Sequence, residues 1–371
     1  MKILVRGTNW LGDAVMTAPA LQRLREKFPG AQISLLSPAK LCPLWLHHPA
    51  VDQSIAFEPE ETIFAVAGKL RAGKFDLALV LPNSPRSALE VFLAGIPQRI
   101  GYARPWRNFF LTQAVPPRKG AAKMRQRSLA EIQAAVAAPH RPGFPAAEKT
   151  IAGTAGLIPE RHHIREYLNL VAALGASAEP LPPQFRVAPE ECEAARKKFG
   201  LDQIAAPLLG LNPGAEYGPA KRWPVEKFIA TAQEIRRRTG GVWILFGGKS
   251  DEPIAGRIES ALASRSLALF NLAGRTSLRE LMALLKSCRV LLTNDTGPMH
   301  LAAALEVPVV AVFGSTAPEL TGPVSSAPGT IVKSDAPCSP CFLRECPIDF
   351  RCMNGISVER VVEAVVAVLK P

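Results

Sequence analysis

Two short segments of this chain hold residues whose types and spacing suit chemistry on an anionic substrate. The first is Gly7-Thr8-Asn9-Trp10-Leu11-Gly12-Asp13, directly after the apolar run Ile3-Leu4-Val5. Its two glycines have the spacing of a phosphate-binding loop, but the Lys-Ser/Thr ending is missing and Asp13 stands where the lysine would be. A carboxylate in the first turn of a helix is kept ionised by the helix dipole and is placed to take a proton. The same aspartate also reads as the cap of an ordinary strand-turn-helix unit. The Gly-x-Gly-x-x-Gly fingerprint is absent, which removes the main support for nicotinamide chemistry.

The second segment is Asn294-Asp295-Thr296-Gly297-Pro298-Met299-His300, between the run Val290–Thr293 and the helical Leu301–Leu305. Gly297 allows close approach, Pro298 suits a first helical turn, and the free N–H groups of that turn would point at a diphosphate. His300 is placed to donate to a phosphate oxygen, while Asp295 reads either as a cap or as a ligand of a sugar hydroxyl. Upstream, Asn212-Pro213-Gly214 leads to Lys221-Arg222-Trp223-Pro224, where Lys221 is either a counter-charge for a leaving diphosphate or a solvated surface group. Asp251, in Gly247-Gly248-Lys249-Ser250-Asp251 after another apolar run, suits ribose hydroxyls.

Four of the seven cysteines cluster as Cys338-x2-Cys341-x4-Cys346-x5-Cys352. Four thiolates suit structural zinc, but the spacing departs from familiar zinc modules.

Elements must position these residues. Apolar runs at Ile3–Val5, Ile33–Leu36, Leu77–Leu81, Leu208–Leu211, Val242–Phe246, Val290–Thr293 and Val309–Phe313 alternate with helical periodicity, which predicts parallel sheets covered by helices. The first helix shows Ala20, Leu21, Leu24 and Phe28 on one face and stops at Pro29-Gly30. A chain of 371 residues exceeds one ordinary core, and Glu179-Pro180-Leu181-Pro182-Pro183 reads as a linker, so domains of 1–180 and 181–356 are expected. Residues 116–127 read as a basic loop and 139–159 as a Pro/Gly-rich excursion. No run of about 18 apolar residues and no export signal occur, which predicts a cytoplasmic protein with reduced thiols.

The net charge of +12 implies an anionic partner: nucleic acid, a phosphorylated glycolipid or an acidic membrane leaflet. With aromatics at 6% and basic residues scattered, nucleic acid is disfavoured.

Gly12-Asp13, Lys221-Arg222-Trp223-Pro224 and Asn294–His300, taken together, resemble the signature of the ADP-heptose glycosyltransferases, over nearly the whole chain. Leu81–Ala88 and the late cysteines resemble the branch that moves heptose from ADP-heptose onto the first heptose of the lipopolysaccharide inner core. The resemblance implies two Rossmann-like domains facing across a cleft, the GT-B arrangement, with the C-terminal helix 357–371 packing back on the first domain. It implies an inverting transfer without a metal or other cofactor, ADP-heptose being a substrate, with Asp13 as general base and Lys221 stabilising the leaving ADP. Asn212, Gly214, Lys221, Asp251, Asp295, Thr296, Gly297 and His300 would bind the donor. Asn83, Arg86, Arg104 and Arg107 would meet acceptor groups, although each arginine also reads as a solvated surface cation. The late cysteines, by the same resemblance, would shape a loop near the acceptor. Partners are then ADP-heptose, the inner-core acceptor and peripherally the anionic inner face of the inner membrane. Three alternatives stand beside this one: transfer to a different core acceptor, a nucleotide-binding oxidoreductase, and a non-catalytic binder of anionic glycolipid.

Overall fold

The apolar runs become strands because β-branched and leucine side chains fill both faces of a sheet that helices cover. The computed structural model describes residues 1–122, 124–138, 149–151, 158–263 and 269–370. The chain divides into two compact units, Met1–Ala122 with Gly156–Arg186, and Lys123–Ala155 with Val187–Pro371.

In the first unit, β1 (Lys2–Arg6), α1 (Leu11–Lys27), β2 (Gln32–Pro38), β3 (Gln53–Phe57), α2 (Ile63–Gly73), β4 (Leu77–Val80), α3 (Pro85–Leu93), β5 (Gln98–Tyr102) and β6 (Gln113–Val115) build a six-stranded sheet in the order β3-β2-β1-β4-β5-β6. Every pair in it is parallel. Leu4, Leu36, Val66, Leu70, Ala78, Val80, Ala88 and Val91 form the core between the sheet and α2 and α3. Helix α1 buries Ala20, Leu21 and Leu24 and ends at Lys27, as its periodicity predicts. The chain then contributes α4 (Leu129–Ala137) and β7 (Lys149–Ile151) to the second unit before α5 (Ile164–Ala172) returns to pack on α1.

The second unit continues with α6 (Pro189–Lys198), β8 (Leu208–Asn212), α7 (Val225–Thr239), β9 (Val242–Leu245), α8 (Glu252–Ala263), β10 (Leu269–Asn271), α9 (Leu278–Lys286), β11 (Leu291–Asn294), α10 (Gly297–Ala304), β12 (Val309–Phe313), α11 (Pro318–Thr321), β13 (Gly329–Lys333), α12 (Arg351–Asn354) and α13 (Val358–Leu369). Its sheet runs β10-β9-β8-β11-β12-β13-β7, parallel except for β7, which pairs antiparallel with β13. Both units are therefore doubly wound α/β sheets of Rossmann type. Strand order reverses between β1 and β4 in one and between β8 and β11 in the other, and ligands of such sheets bind beyond the strands' C-terminal ends at that reversal.

Two expectations about the domains need correction. Helix α13 belongs to the second unit: Val361, Val362 and Val365 lie in its core, where the helix packs on α7 and β13. Its apolar face is satisfied there. The first unit also extends past residue 180 to Arg186, because Phe185 packs on Trp45 and His48, with ring centroids 5.4 and 5.1 Å away. The Pro/Gly-rich excursion at 139–159 falls largely outside the described residues. No helix among the described residues is long and apolar enough to cross a membrane.

Candidate active site

In the first unit the turn after β1 is held from below. Arg6, buried at the strand's end, donates to Glu90 at 3.0 Å, to the Gly7 carbonyl at 2.7 Å and to the Asn9 side-chain oxygen at 3.0 Å. Glu90 is wholly buried and also accepts from Arg86, so one carboxylate holds two guanidiniums. Gly7 donates to the Leu36 carbonyl, and a Cβ there would lie 3.1 Å from both that oxygen and the Leu35 side chain. This scaffold delivers Asp13 to the first turn of α1, half-buried. The helix cap is Trp10, so Asp13 is not a cap residue. Burial, and then the charges of Asp13, Glu166 and Tyr102, keep the Tyr167 hydroxyl protonated, and that hydroxyl lies 3.1 Å from His163 Nε2. The Thr8 hydroxyl is buried with no hydrogen-bond partner among the described residues.

Across the reversal, β4 is followed by Asn83, which is exposed, and by Arg86 on α3. Arg86 is tied to Glu90 at 3.0 Å and to the Glu61 carbonyl at 2.6 Å. Arg104 lies over the Tyr102 ring, 5.6 Å from its centroid. Arg107 corrects the sequence expectation: it is 0% exposed and donates inward, to the Pro82 carbonyl at 2.6 Å and to Asn83 at 3.5 Å. Burial, with Arg104 nearby, lowers its pKa to about 10. It shapes the turn that carries Asn83.

In the second unit the loops after β8 and β11 are sewn together by one side chain that the sequence reading passed over. Asn294, wholly buried, accepts from the Trp223 N–H at 3.0 Å and donates to the Pro213 and Gly214 carbonyls at 2.8 and 3.2 Å. A polar residue where a buried strand should be apolar was the available signal. Lys221 is thereby brought to Asp295, with Nζ 2.6 Å from Oδ2, and the Thr316 hydroxyl donates to the same oxygen at 2.6 Å. Asp295 thus positions the lysine and does not cap α10, whose N-cap is Thr296. Asn212 is buried, and its amide donates to the Thr293 and Thr296 hydroxyls, both at 3.1 Å, so it braces the strand ends. Gly297 opens α10, and His300 is buried one turn further on.

Asp251 stands at the end of β9. A Cβ on Gly214 would lie 2.3 Å from its carboxylate, so only glycine fits there. One carboxylate oxygen accepts from the Gly248 N–H at 3.1 Å, while the other has Arg222 at 3.6 Å and no hydrogen bond. Burial raises its pKa, only partly offset by the Gly248 N–H and Arg222. A raised carboxyl pKa means that ionisation costs the folded state stability as pH rises above the ordinary value of 3.8. Asp251→Asn is therefore expected to raise the thermal midpoint by a few degrees at pH 7, to make little difference near pH 4, and to weaken ADP binding about ten-fold. Calorimetry at both pH values and ADP titration would check this.

The four clustered cysteines carry free thiols, and burial with the neighbouring cysteines pushes Cys352 up to about 12. Among the described residues no three metal-ligating side chains are gathered for an ion. The segment instead props the Lys221 loop. Tyr217 donates to the Phe342 carbonyl at 2.8 Å, Arg344 donates to the Tyr217 carbonyl at 2.7 Å, and the Ala220 N–H donates to the Arg344 carbonyl at 3.0 Å. The Tyr217 ring in turn faces Lys221 Nζ, 5.0 Å from its centroid.

Residues 130–350 match the family model for glycosyltransferase family 9 (heptosyltransferase). The chain belongs to that family. This heptosyltransferase-family chain is 33% identical to lipooligosaccharide heptosyltransferase 2 of Haemophilus ducreyi over 88% of its own length and 86% of the relative's. It is 32% identical to lipopolysaccharide heptosyltransferase 2 of Escherichia coli with the same coverage of each chain. The solved structure of E. coli ADP-heptose lipopolysaccharide heptosyltransferase II superposes with a TM-score of 0.76 at 29% identity, covering 100% of this family member and 98% of that chain.

Proposed function

We infer that this glycosyltransferase moves heptose from ADP-heptose onto the first heptose of the lipopolysaccharide inner core, with inversion and without a metal. The observation that carries the reading is the Lys221–Asp295 pair at 2.6 Å beside the N-terminus of α10, at the reversal of the second sheet. A half-buried lysine next to the N-terminal N–H groups of a helix suits a diphosphate. The relatives at 32 and 33% identity bear heptosyltransferase names, which supports the choice of sugar.

In the proposed reaction Asp13 takes the proton of the acceptor hydroxyl as that oxygen forms its bond to the anomeric carbon and the bond to ADP breaks. Lys221 and the first-turn N–H groups of α10, at Thr296 and Gly297, meet the charge that appears on the leaving diphosphate, the task a divalent cation performs elsewhere. Asp251, in the turn after β9, is the carboxylate that accepts the ribose hydroxyls. Asn83 and Arg86 hold the acceptor, and the protein works from the cytoplasm against the anionic inner leaflet.

Incubation with ADP-heptose and a series of truncated lipopolysaccharides, followed by product mass, tests this. One heptose should be added to the acceptor ending in a single heptose. Addition only to a different core would redirect the acceptor, and no addition with any of them would overturn the reading.

A further inference from the structure

The first unit carries an aromatic patch that no part of the transfer reaction uses. Trp106 is 89% and Phe109 82% exposed, and Phe109 stacks with Phe92 and Phe110 at centroid distances of 6.1 and 5.7 Å. The patch is built, not frayed. Asn108 accepts from the Arg104 N–H at 2.9 Å, the wholly buried Arg107 anchors the turn to the Pro82 carbonyl, and Trp106 is held at φ 63°, a conformation a tryptophan rarely adopts. Folding alone gains nothing from holding a large apolar ring outward in that conformation.

Cations surround the rings. The Arg99 guanidinium lies 5.3 Å from the Phe92 centroid and, among the described residues, bonds only to the Phe110, Ile96 and Pro97 carbonyls. Arg71 donates to the Leu93 carbonyl and Arg104 to that of Ala103, so neither charge is neutralised by a carboxylate in these bonds. From Val91 to Ala130 the sequence contains no aspartate or glutamate. Exposed tryptophan and phenylalanine beside uncompensated arginines match the bilayer interface, where rings sit at headgroup depth and anionic lipids meet the cations.

We propose that Trp106, Phe109 and Phe92, ringed by Arg71, Arg99 and Arg104, are the surface by which this protein docks on an anionic phospholipid bilayer. The inference rests on the reading above that the chain works at the inner leaflet, and it names the element that touches lipid. The partner is the bilayer and not a second copy of the chain, because a symmetric contact through this patch would bring the same three uncompensated arginines of two copies together.

The test is co-sedimentation of the full chain with vesicles of phosphatidylethanolamine and phosphatidylglycerol, against vesicles of phosphatidylcholine alone. The wild type should bind the anionic vesicles, less as salt rises, and bind phosphatidylcholine weakly. A Trp106→Ser/Phe109→Ser double variant should lose binding by about ten-fold or more, while Leu129→Ser, an exposed leucine of the second unit, should bind as wild type. Both rings are exposed, so the double variant should fold, and its transfer of heptose to a water-soluble acceptor fragment should be unchanged. Equal sedimentation of wild type and double variant would overturn the proposal, as would loss of binding in Leu129→Ser or a dimer abolished by the double variant with vesicle binding intact. The vesicle readout needs neither donor nor acceptor, so its failure is separable from failure of the transferase reading.

Discussion

Asp13→Asn is expected to lower kcat by about 10²–10⁴-fold while ADP affinity stays near that of the wild type. The amide keeps the size and hydrogen-bonding outline of the side chain but cannot accept the hydroxyl proton. Asp13 belongs to the first unit, whereas the proposed diphosphate cradle belongs to the second, which is why chemistry and nucleotide binding should separate. Single-turnover kinetics with calorimetric ADP titration would measure both. A variant that turns over at a tenth of the wild-type rate would remove Asp13 from the role of base. The wild-type pH profile should show an acidic limb, because the base must be ionised, and that limb should vanish from the residual activity of the variant.

Lys221→Met should be nearly as severe, lowering kcat/KM by about 10²–10³-fold through loss of the charge that meets the leaving diphosphate. It should also destabilise the protein, for a different reason. Lys221 and Asp295 are 14% and 4% exposed, and removing the lysine takes the counter-charge from a buried carboxylate, a cost of about 3 kcal/mol. The double variant Lys221→Met/Asp295→Asn should recover most of that stability and none of the activity. Thermal unfolding of the three variants, with initial rates at saturating acceptor, would separate the two contributions. Recovery of activity in the double variant would mean that Asp295, and not the lysine, was the group whose charge mattered.

Most of the framework was legible in residue order because burial demands it. All seven predicted apolar runs are strands, with ends shifted by a residue or so at β1, β2, β4, β8, β9 and β11. The strands that were not anticipated, β3, β5, β6, β7, β10 and β13, are edge-ward or lack a long apolar run; Gln98-Arg99-Ile100-Gly101-Tyr102 is an example. Such strands form because a neighbour presents free backbone groups, and composition does not record that. Asp13, Lys221, Gly297 and Asp251 stood out because a charge or glycine at the C-terminal end of a strand has few structural reasons to be there. That Arg107 and Asn212 are buried was not legible, for a complementary reason. A polar residue near a strand end can face the crevice or the core, and periodicity does not say which when the backbone turns.

The alternation of apolar runs with helical periodicity, and the residue types in the two strand-to-helix turns, were decided by residue order, since a period of two or of 3.6 dictates which face meets water. Which turns share one end of one sheet was decided only by the fold. The pairing of β8 with β11 lays Thr293 beside Asn212, and Asn294 then draws the Trp223 backbone inward, so that a lysine and an aspartate 74 positions apart come within 2.6 Å. Strand order arises from long-range packing and hydrogen bonding across the whole sheet, and no local stretch of sequence contains it.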